Sequence, residues 1–502
     1  MKTTRIAAGV ATLAACSLAL TACGGSATSG ATGEDRDSIT WMTMLHTPTT
    51  PDPGSPVELA LEEHTGMDIE FQWVPDASKD EKINAALASD SLADIVSLTN
   101  ITNTSVRQAL TSGQFWDVEE YLDEFDNLSQ IDPQTLDAAR IDGELYGVPF
   151  QKPKARYGVL VRQDWLDNLG LEVPHTIEEL GEVARAFAED DPDGNGEDDT
   201  TGFIDREESF LVGFRSLAGY FGAGQKFTVT DDGTVVPAFT TDAFQDAMEW
   251  YRELYEDGGV NGEFVTMAKQ NQQDAIARGT GGIVVTGLFE AKNYMNIALS
   301  ADPDTPMAWA LVNDVTYEDV PRRILTDTNG GMGGWLALPK SRVADEEDVR
   351  AVLGFIDKLI EPEAFTLMTY GIEGTHYSID DADVVTIEDQ GLWEREVQPY
   401  SSSRPSEIVM TFNDTTPYVN EGNEKMAEND EFVVTDPTLP LTSETYNQSW
   451  SSIEQQANDA YNQYIVGQID MAEYEAVIDS LGAQGLDQIT EEFTAAYEQA
   501  NG

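Results

Sequence analysis

The stretch Asp142–Leu180, DGELYGVPFQKPKARYGVLVRQDWLDNLGLEVPHTIEEL, decides how the rest of the chain is arranged. It opens on an Asp142-Gly143 turn and runs into a short apolar strand ending at Val148-Pro149-Phe150. A basic, aromatic connector, Gln151 to Tyr157, follows, and then a second β-rich segment, Val159 to Arg162. A proline at the end of the first strand removes a ladder donor. With the cationic connector behind it, this points to a crossing between two bodies, not a hairpin within one sheet. A short helix carrying Trp165 comes next. The helix after it starts at Thr176, with Glu179 at capping-box spacing, and Leu180, Val183, Ala184 and Phe187 form its apolar stripe.

Upstream of the crossing, Ile39–Leu45 reads as a buried strand, Val57–His64 as a helix, and Ile69, Phe71 and Trp73 as the apolar face of an alternating strand. Lys82–Leu92 reads as a helix and Ala93–Leu98 as another buried strand, an alternation that implies βαβ units and a mainly parallel sheet. Downstream, Thr240–Asp257 is an amphipathic helix stopped by Gly258, and Gly282–Thr286 is a short buried strand. Pro306–Val312 reads as the return crossing, Gly333–Leu338 as a strand bearing Trp335, and Val349–Ile360 as a further helix. From Trp393 onward the pattern is mostly helical, ending with Ile489–Gln499, and no internal repeat is found.

At 502 residues the chain exceeds one ordinary core, and 41% hydrophobic content with nine Trp argues against disorder. A formal charge of −63 repels phosphate backbones and argues against nucleic-acid binding. The two cysteines, Cys16 and Cys23, both lie in the first thirty residues. Lys2 and Arg5, then apolar Ile6–Leu20, then Leu20-Thr21-Ala22-Cys23, resemble a lipoprotein signal peptide over residues 1–22, with Cys23 lipidated. Leu13-Ala14-Ala15-Cys16 fits the same short pattern. Cleavage there would leave apolar Leu18–Ala22 in the mature tail, whereas cleavage at Cys23 leaves a Gly/Ser/Thr/Ala tether within residues 23–38. Cys23 is therefore the expected site, an unmodified secretory signal being the alternative. Removing the signal takes the charge from −63 to −65.

The runs Gly143–Pro149 (GELYGVP) and Arg162–Leu171 (RQDWLDNLGL) resemble those of family 1 extracellular solute-binding proteins, the ligand-capturing lipoproteins of ABC importers. Tyr370–Tyr377 (YGIEGTHY) is similar to the long branch that includes alginate- and aldouronate-oligosaccharide-binding members. The resemblance implies an α/β, two-lobed periplasmic-binding-protein-like fold, class II-like, with discontinuous lobes and hinge crossings. The crossings place residues 39–151 and 313–370 in lobe 1, and 152–312 and 371–502 in lobe 2. The expected function is non-enzymatic capture of an oligosaccharide in the interlobe cleft, with handover to importer permease subunits. The expected state is a monomer, exported and held on the outer face of the cytoplasmic membrane by its lipid anchor.

Sugar sites pair aromatic rings with polar side chains and lie beyond the carboxyl ends of strands. That points to Asn100 and Asn103, to Phe289 after Thr286, and to the connector's Lys154 and Arg156 beside Lys152. Tyr220-Phe221, Trp335 and His376-Tyr377 are further candidates, each with an ordinary packing role as its alternative. With the connector as the one obvious cationic cluster, the expected ligand is neutral, uronate oligomers or peptides being alternatives.

The acidic loop offers Asp191, Asp193, Asn195, Glu197 (through its carbonyl) and Asp199 at positions one, three, five, seven and nine of an EF-type loop, with Gly196 at position six. Gly202 stands where the bidentate Glu belongs. A similar loop in the alginate-binding relatives implies structural calcium; an acidic turn at a helix end is the other reading. A secreted carbohydrate-active hydrolase is the competing function. The chain carries no G-x-S-x-G, H-E-x-x-H or P-loop pattern.

Overall fold

The computed structural model describes residues 36–501 apart from 48, 102 and 411. Cys16, Cys23 and the signal segment 1–22 lie outside the described residues, as does most of the tether. Nine strands make the two principal sheets: β1 (Ser38–Leu45), β2 (Asp68–Pro75), β3 (Ile95–Leu98), β4 (Gly147–Gln151), β5 (Tyr157–Arg162), β6 (Thr201–Phe203), β7 (Gly281–Gly287), β8 (Trp309–Val312) and β9 (Met332–Ala337).

The first sheet has the order β2-β1-β3-β9-β4, with β1 parallel to β2 and β3, and β9 antiparallel to both its neighbours. The second has the order β8-β5-β7-β6, and β5 runs antiparallel to both β7 and β8. The sheets are thus mixed, not mainly parallel, because strands that border a crossing return in the opposite direction. β4 sits in one sheet and β5 in the other, so the connector between them passes from lobe to lobe.

Each sheet buries its own core. In the first, Trp41, Phe115, Trp335 and Phe355 are closed off, and the indole N–H groups of Trp41 and Trp335 donate to Ser97 Oγ (3.0 Å) and Ala139 O (2.8 Å). The second sheet is covered on both faces. Val159, Val161, Ile283 and Val285 face a cluster with Trp165, Phe187, Phe214 and Tyr461, while Leu160 and Val284 face Tyr294, Trp309 and Met426. Burial on both sides explains why GVLV and GIVV read as continuous apolar runs without alternation.

The helix Ile177–Glu189 has both halves of its capping box formed by Thr176 and Glu179. Asp242–Glu256 and Glu346–Ile360 lay their apolar stripes on the second and first cores. Among the described residues no helix is long and apolar enough to cross a membrane.

The return crossing lies later than Pro306–Val312. β8 is a member of the second sheet, whereas Thr326–Gly331 leads into β9 of the first. Asn329, Gly330 and Gly331 take φ of 54°, 75° and 89°, so a β-branched side chain would be strained at three successive positions of this bridge. Core membership also departs from the division expected at 313 and 371. Val315 packs in the second core, and Val397 and Tyr400 pack in the first. Beyond residue 401 the chain crosses again: Glu407 N donates to Gln151 O of β4, and Asn429 Nδ2 donates to Ala155 O beside β5.

Candidate functional site

The connector's cations are tied to carboxylates from other segments. Lys152 bonds Glu407, Lys154 Nζ lies 3.2 Å from Asp132, and Asp327 accepts from both the backbone N (2.7 Å) and the Nε (2.8 Å) of Arg156. Burial alone would raise the Glu407 carboxyl, but Lys152 and Arg404 beside it hold its pKa below the ordinary glutamate value. The guanidinium of Arg156 stands 5.1 Å from the centre of the Phe289 ring, a cation–π arrangement. The connector is thus a braced bridge, its charge already matched.

Two cavities flank the Arg156–Asp327 pair. The larger, about 670 Å³, opens between the lobes on the Arg156 side. Phe365, Tyr370, Trp393 and Arg404 come from the first lobe, and Phe289, Asn293 and Asn423 from the second. Thr369 organises the first-lobe wall. Its carbonyl accepts from Trp393 Nε1 (2.9 Å), and its hydroxyl accepts from Arg404 Nη1 (2.6 Å). Arg404 also lies 4.8 Å over the Phe365 ring, and Tyr370 meets Phe412 edge-on at 5.5 Å. Rings with polar ends nearby form a surface that can take the apolar face of a flat ligand while amides and carboxylates take its polar groups. The smaller cavity, about 200 Å³, lies on the Asp327 side and is lined by Ile101, Arg107, Arg215, Lys226, Asp436 and Tyr446 among others.

Of the ten ligand-contact candidates, Arg156 and Phe289 line the larger cavity. The others are placed elsewhere. Trp335 is 1% exposed, with its N–H committed to Ala139. Tyr220 and Phe221 are buried in the second core, Phe221 lying 4.3 Å from the Tyr317 ring. His376 is fully buried; its Nδ1 accepts from Ile372 N (3.0 Å) and its Nε2 faces Glu396 (3.3 Å), while Tyr377 is buried at the start of a short, partly exposed strand with its ring 5.8 Å from that of Tyr370. Asn103 caps the helix Thr104–Ala109, Asn100 donates to Asp80 (2.9 Å), and Lys154 pairs with Asp132. Trp393, Tyr370, Phe412, Arg404 and Asn423 were not anticipated. The available signal was that their aromatic and polar side chains fall outside any apolar stripe.

In the acidic loop Asp191 accepts from Gly196 N (3.0 Å) through Oδ2, while its Oδ1 is buried without a partner. Asn195 donates to Asp193 (2.9 Å) and Asp199 (3.2 Å), and its own oxygen accepts from Glu197 N (2.6 Å). The oxygen donors are of the type a hard cation takes. Among the described residues, however, no three acidic or histidine side chains are gathered closely enough to hold a metal ion.

Residues 47–364 match the family of bacterial extracellular solute-binding proteins. The chain belongs to that family. It is 31% identical over 487 residues to the polygalacturonan/rhamnogalacturonan-binding protein YtcQ of Bacillus subtilis, covering 96% of each chain. In fold it is similar to the alginate-binding protein AlgQ2 solved without calcium ion (TM-score 0.65, 18% identity, 92% of this chain and 98% of that one). It is similar also to the Streptococcus pneumoniae ABC-transporter substrate-binding protein FusA solved with kestose (TM-score 0.66, 19% identity, 92% and 99%). The two-lobed solute-binding architecture expected from the sequence is therefore the one this chain adopts.

Proposed function

We propose that this extracellular solute-binding protein captures an oligosaccharide between its lobes and passes it, chemically unchanged, to the permease of an ABC importer. The observation that carries this reading is the larger cavity. Rings and amides converge on it from both lobes, so one ligand engages both and favours hinge closure. The relatives support the ligand class: YtcQ is a polygalacturonan/rhamnogalacturonan-binding protein, and FusA was solved with kestose. Lipidation at Cys23, with the protein monomeric and held outside the cytoplasmic membrane, completes the proposal. Isothermal calorimetry against galacturonan, fructan and neutral galactan oligomers tests it, with chromatography of the recovered ligand. Saturable binding of intact ligand is expected; cleavage products would favour a hydrolase instead.

Calcium in the 191–199 loop is a second reading, favoured by the unpartnered Asp191 Oδ1. Asp191, Asp193, Asn195, the Glu197 carbonyl and Asp199 would hold it, and its contribution would be to stability. Calcium at a hundred times its Kd stabilises by about 2.7 kcal/mol. A calcium-dependent rise in Tm, lost in Asp191→Asn, is the expected result. An unchanged Tm leaves the loop a plain acidic turn.

A further inference from the structure

The smaller cavity differs from the larger in what its charges lack. On the helix Gly213–Tyr220, Arg215 lines it, and the Arg215 Nε is buried and finds no acceptor among the described residues. Asp327, Glu454 and Asp436 act on this guanidinium through space, yet desolvation is the largest influence on it and lowers its pKa. Asp327 is already bonded twice by Arg156, and Glu454 is 4.0 Å from Lys226. Lys226 also donates to the Tyr446 hydroxyl (3.1 Å) and faces the Tyr446 and Trp450 rings. From the first lobe Arg107 reaches in, its Nη2 on Leu441 O (3.4 Å). Asp436 is the remaining carboxyl, and its Oδ1 is occupied by the backbone N and hydroxyl of Thr438. Three cations therefore converge on this cavity; Lys226 has Glu454 as its ion-pair partner and Arg107 rests on a backbone carbonyl, which leaves the Arg215 Nε, of the three, as the buried donor without an acceptor among the described residues.

A buried guanidinium with an unsatisfied N–H is costly unless a ligand supplies the acceptor. Its planar donor fork matches a carboxylate in bidentate fashion. A cavity of about 150 Å³ holds benzene, so about 200 Å³ admits one sugar ring. We infer that the smaller cavity is a carboxylate subsite, in which Arg215, with Arg107 and Lys226 around it, binds the carboxylate of a uronate residue. The inference rests on the oligosaccharide-capture reading and adds to it the charge class of the ligand. It departs from the neutral ligand expected when the connector's cations were the only ones in view.

The test compares trigalacturonate with its methyl ester, which keeps the rings and linkages but removes the charge. Calorimetry on the full mature chain is expected to show the acid binding at least about tenfold more tightly than the ester, one bidentate charge-assisted contact being worth about 1.5–3 kcal/mol. Arg215→Gln is expected to close that gap to within about threefold, and its urea-unfolding curve reports separately that the variant is folded. Arg107→Gln, on the other lobe, is expected to narrow the gap less and serves if Arg215→Gln does not fold. An acid-to-ester gap that survives both substitutions overturns the subsite. Equal affinity of the wild type for acid and ester overturns it while leaving oligosaccharide capture standing. Failure of both to bind, with no binding of the neutral oligomers either, overturns capture as well. Inorganic phosphate that binds alone and competes fully, with its binding lost in Arg215→Gln, would assign the site to a free anion instead.

Discussion

The two cavities on either side of the Arg156–Asp327 pair are built from opposite materials. The larger is walled by rings, and two of its ionic groups are engaged within the protein: Glu407 by Lys152, and Arg404 by Thr369 and the Phe365 ring. The smaller has fewer open rings and holds a buried guanidinium, that of Arg215, whose Nε has no acceptor among the described residues. Burial makes an unmatched charge expensive and a ring cheap. Under the proposed function the difference separates a surface suited to shape and stacking from one suited to charge.

The strongest way to break this contrast is to remove the shared wall. Asp327→Ala leaves Arg156 without its carboxylate at a site where both are mostly buried. Truncating one member of a buried pair costs about 3–5 kcal/mol, and partial exposure of Arg156 reduces that to about 2–3 kcal/mol here, measurable by urea denaturation. Next comes Trp393→Ala, which removes the largest ring from the larger cavity. A ligand-contacting anchor of this kind is worth about 2 kcal/mol, so affinity for both trigalacturonate and its ester should fall roughly thirtyfold while the ratio between them stays constant.

Acid titration sharpens the same contrast at smaller amplitude. The Glu407 pKa is depressed in the folded state, so its contribution to stability is present above the unfolded value of about 4.3 and is lost as pH falls through the lower folded value. Glu407→Gln should flatten the wild-type fall in Tm below about pH 4.3 and leave the curve above pH 6 parallel. The smallest effect is ionic. Affinity for the ester should change by less than about twofold when salt is raised to 0.5 M, whereas affinity for the acid should weaken further, because only the latter depends on an incompletely matched charge.

Local chemistry was legible in the chain. The strand–connector–strand crossing, the Thr176–Glu179 capping box and the apolar stripes of the long helices depend on neighbours a few residues away, and the structure shows each. What depends on distant partners was not legible. Nothing near Trp335 announces that its N–H is taken by Ala139, and nothing near His376 announces Glu396 as its partner. The larger cavity draws on helices from residue 290 onward and on segments after 362, so its rings came into view only once both lobes were assembled. The return bridge was misplaced because an apolar strand such as β8 looks the same on either side of a crossing. The Asn329-Gly330-Gly331 run was the better marker.

The placement of β9 between β3 and β4 has a consequence for how the chain matures. All four strands of the second sheet precede β9 in the chain, so in a polypeptide delivered N-terminus first that sheet's strands are complete while the first still has a gap between β3 and β4. Until Met332–Ala337 emerges, β3 and β4 each present an open hydrogen-bonding edge of the sort that recruits foreign strands. The interval between those two moments is when the topology leaves strand edges open to pairing with another chain.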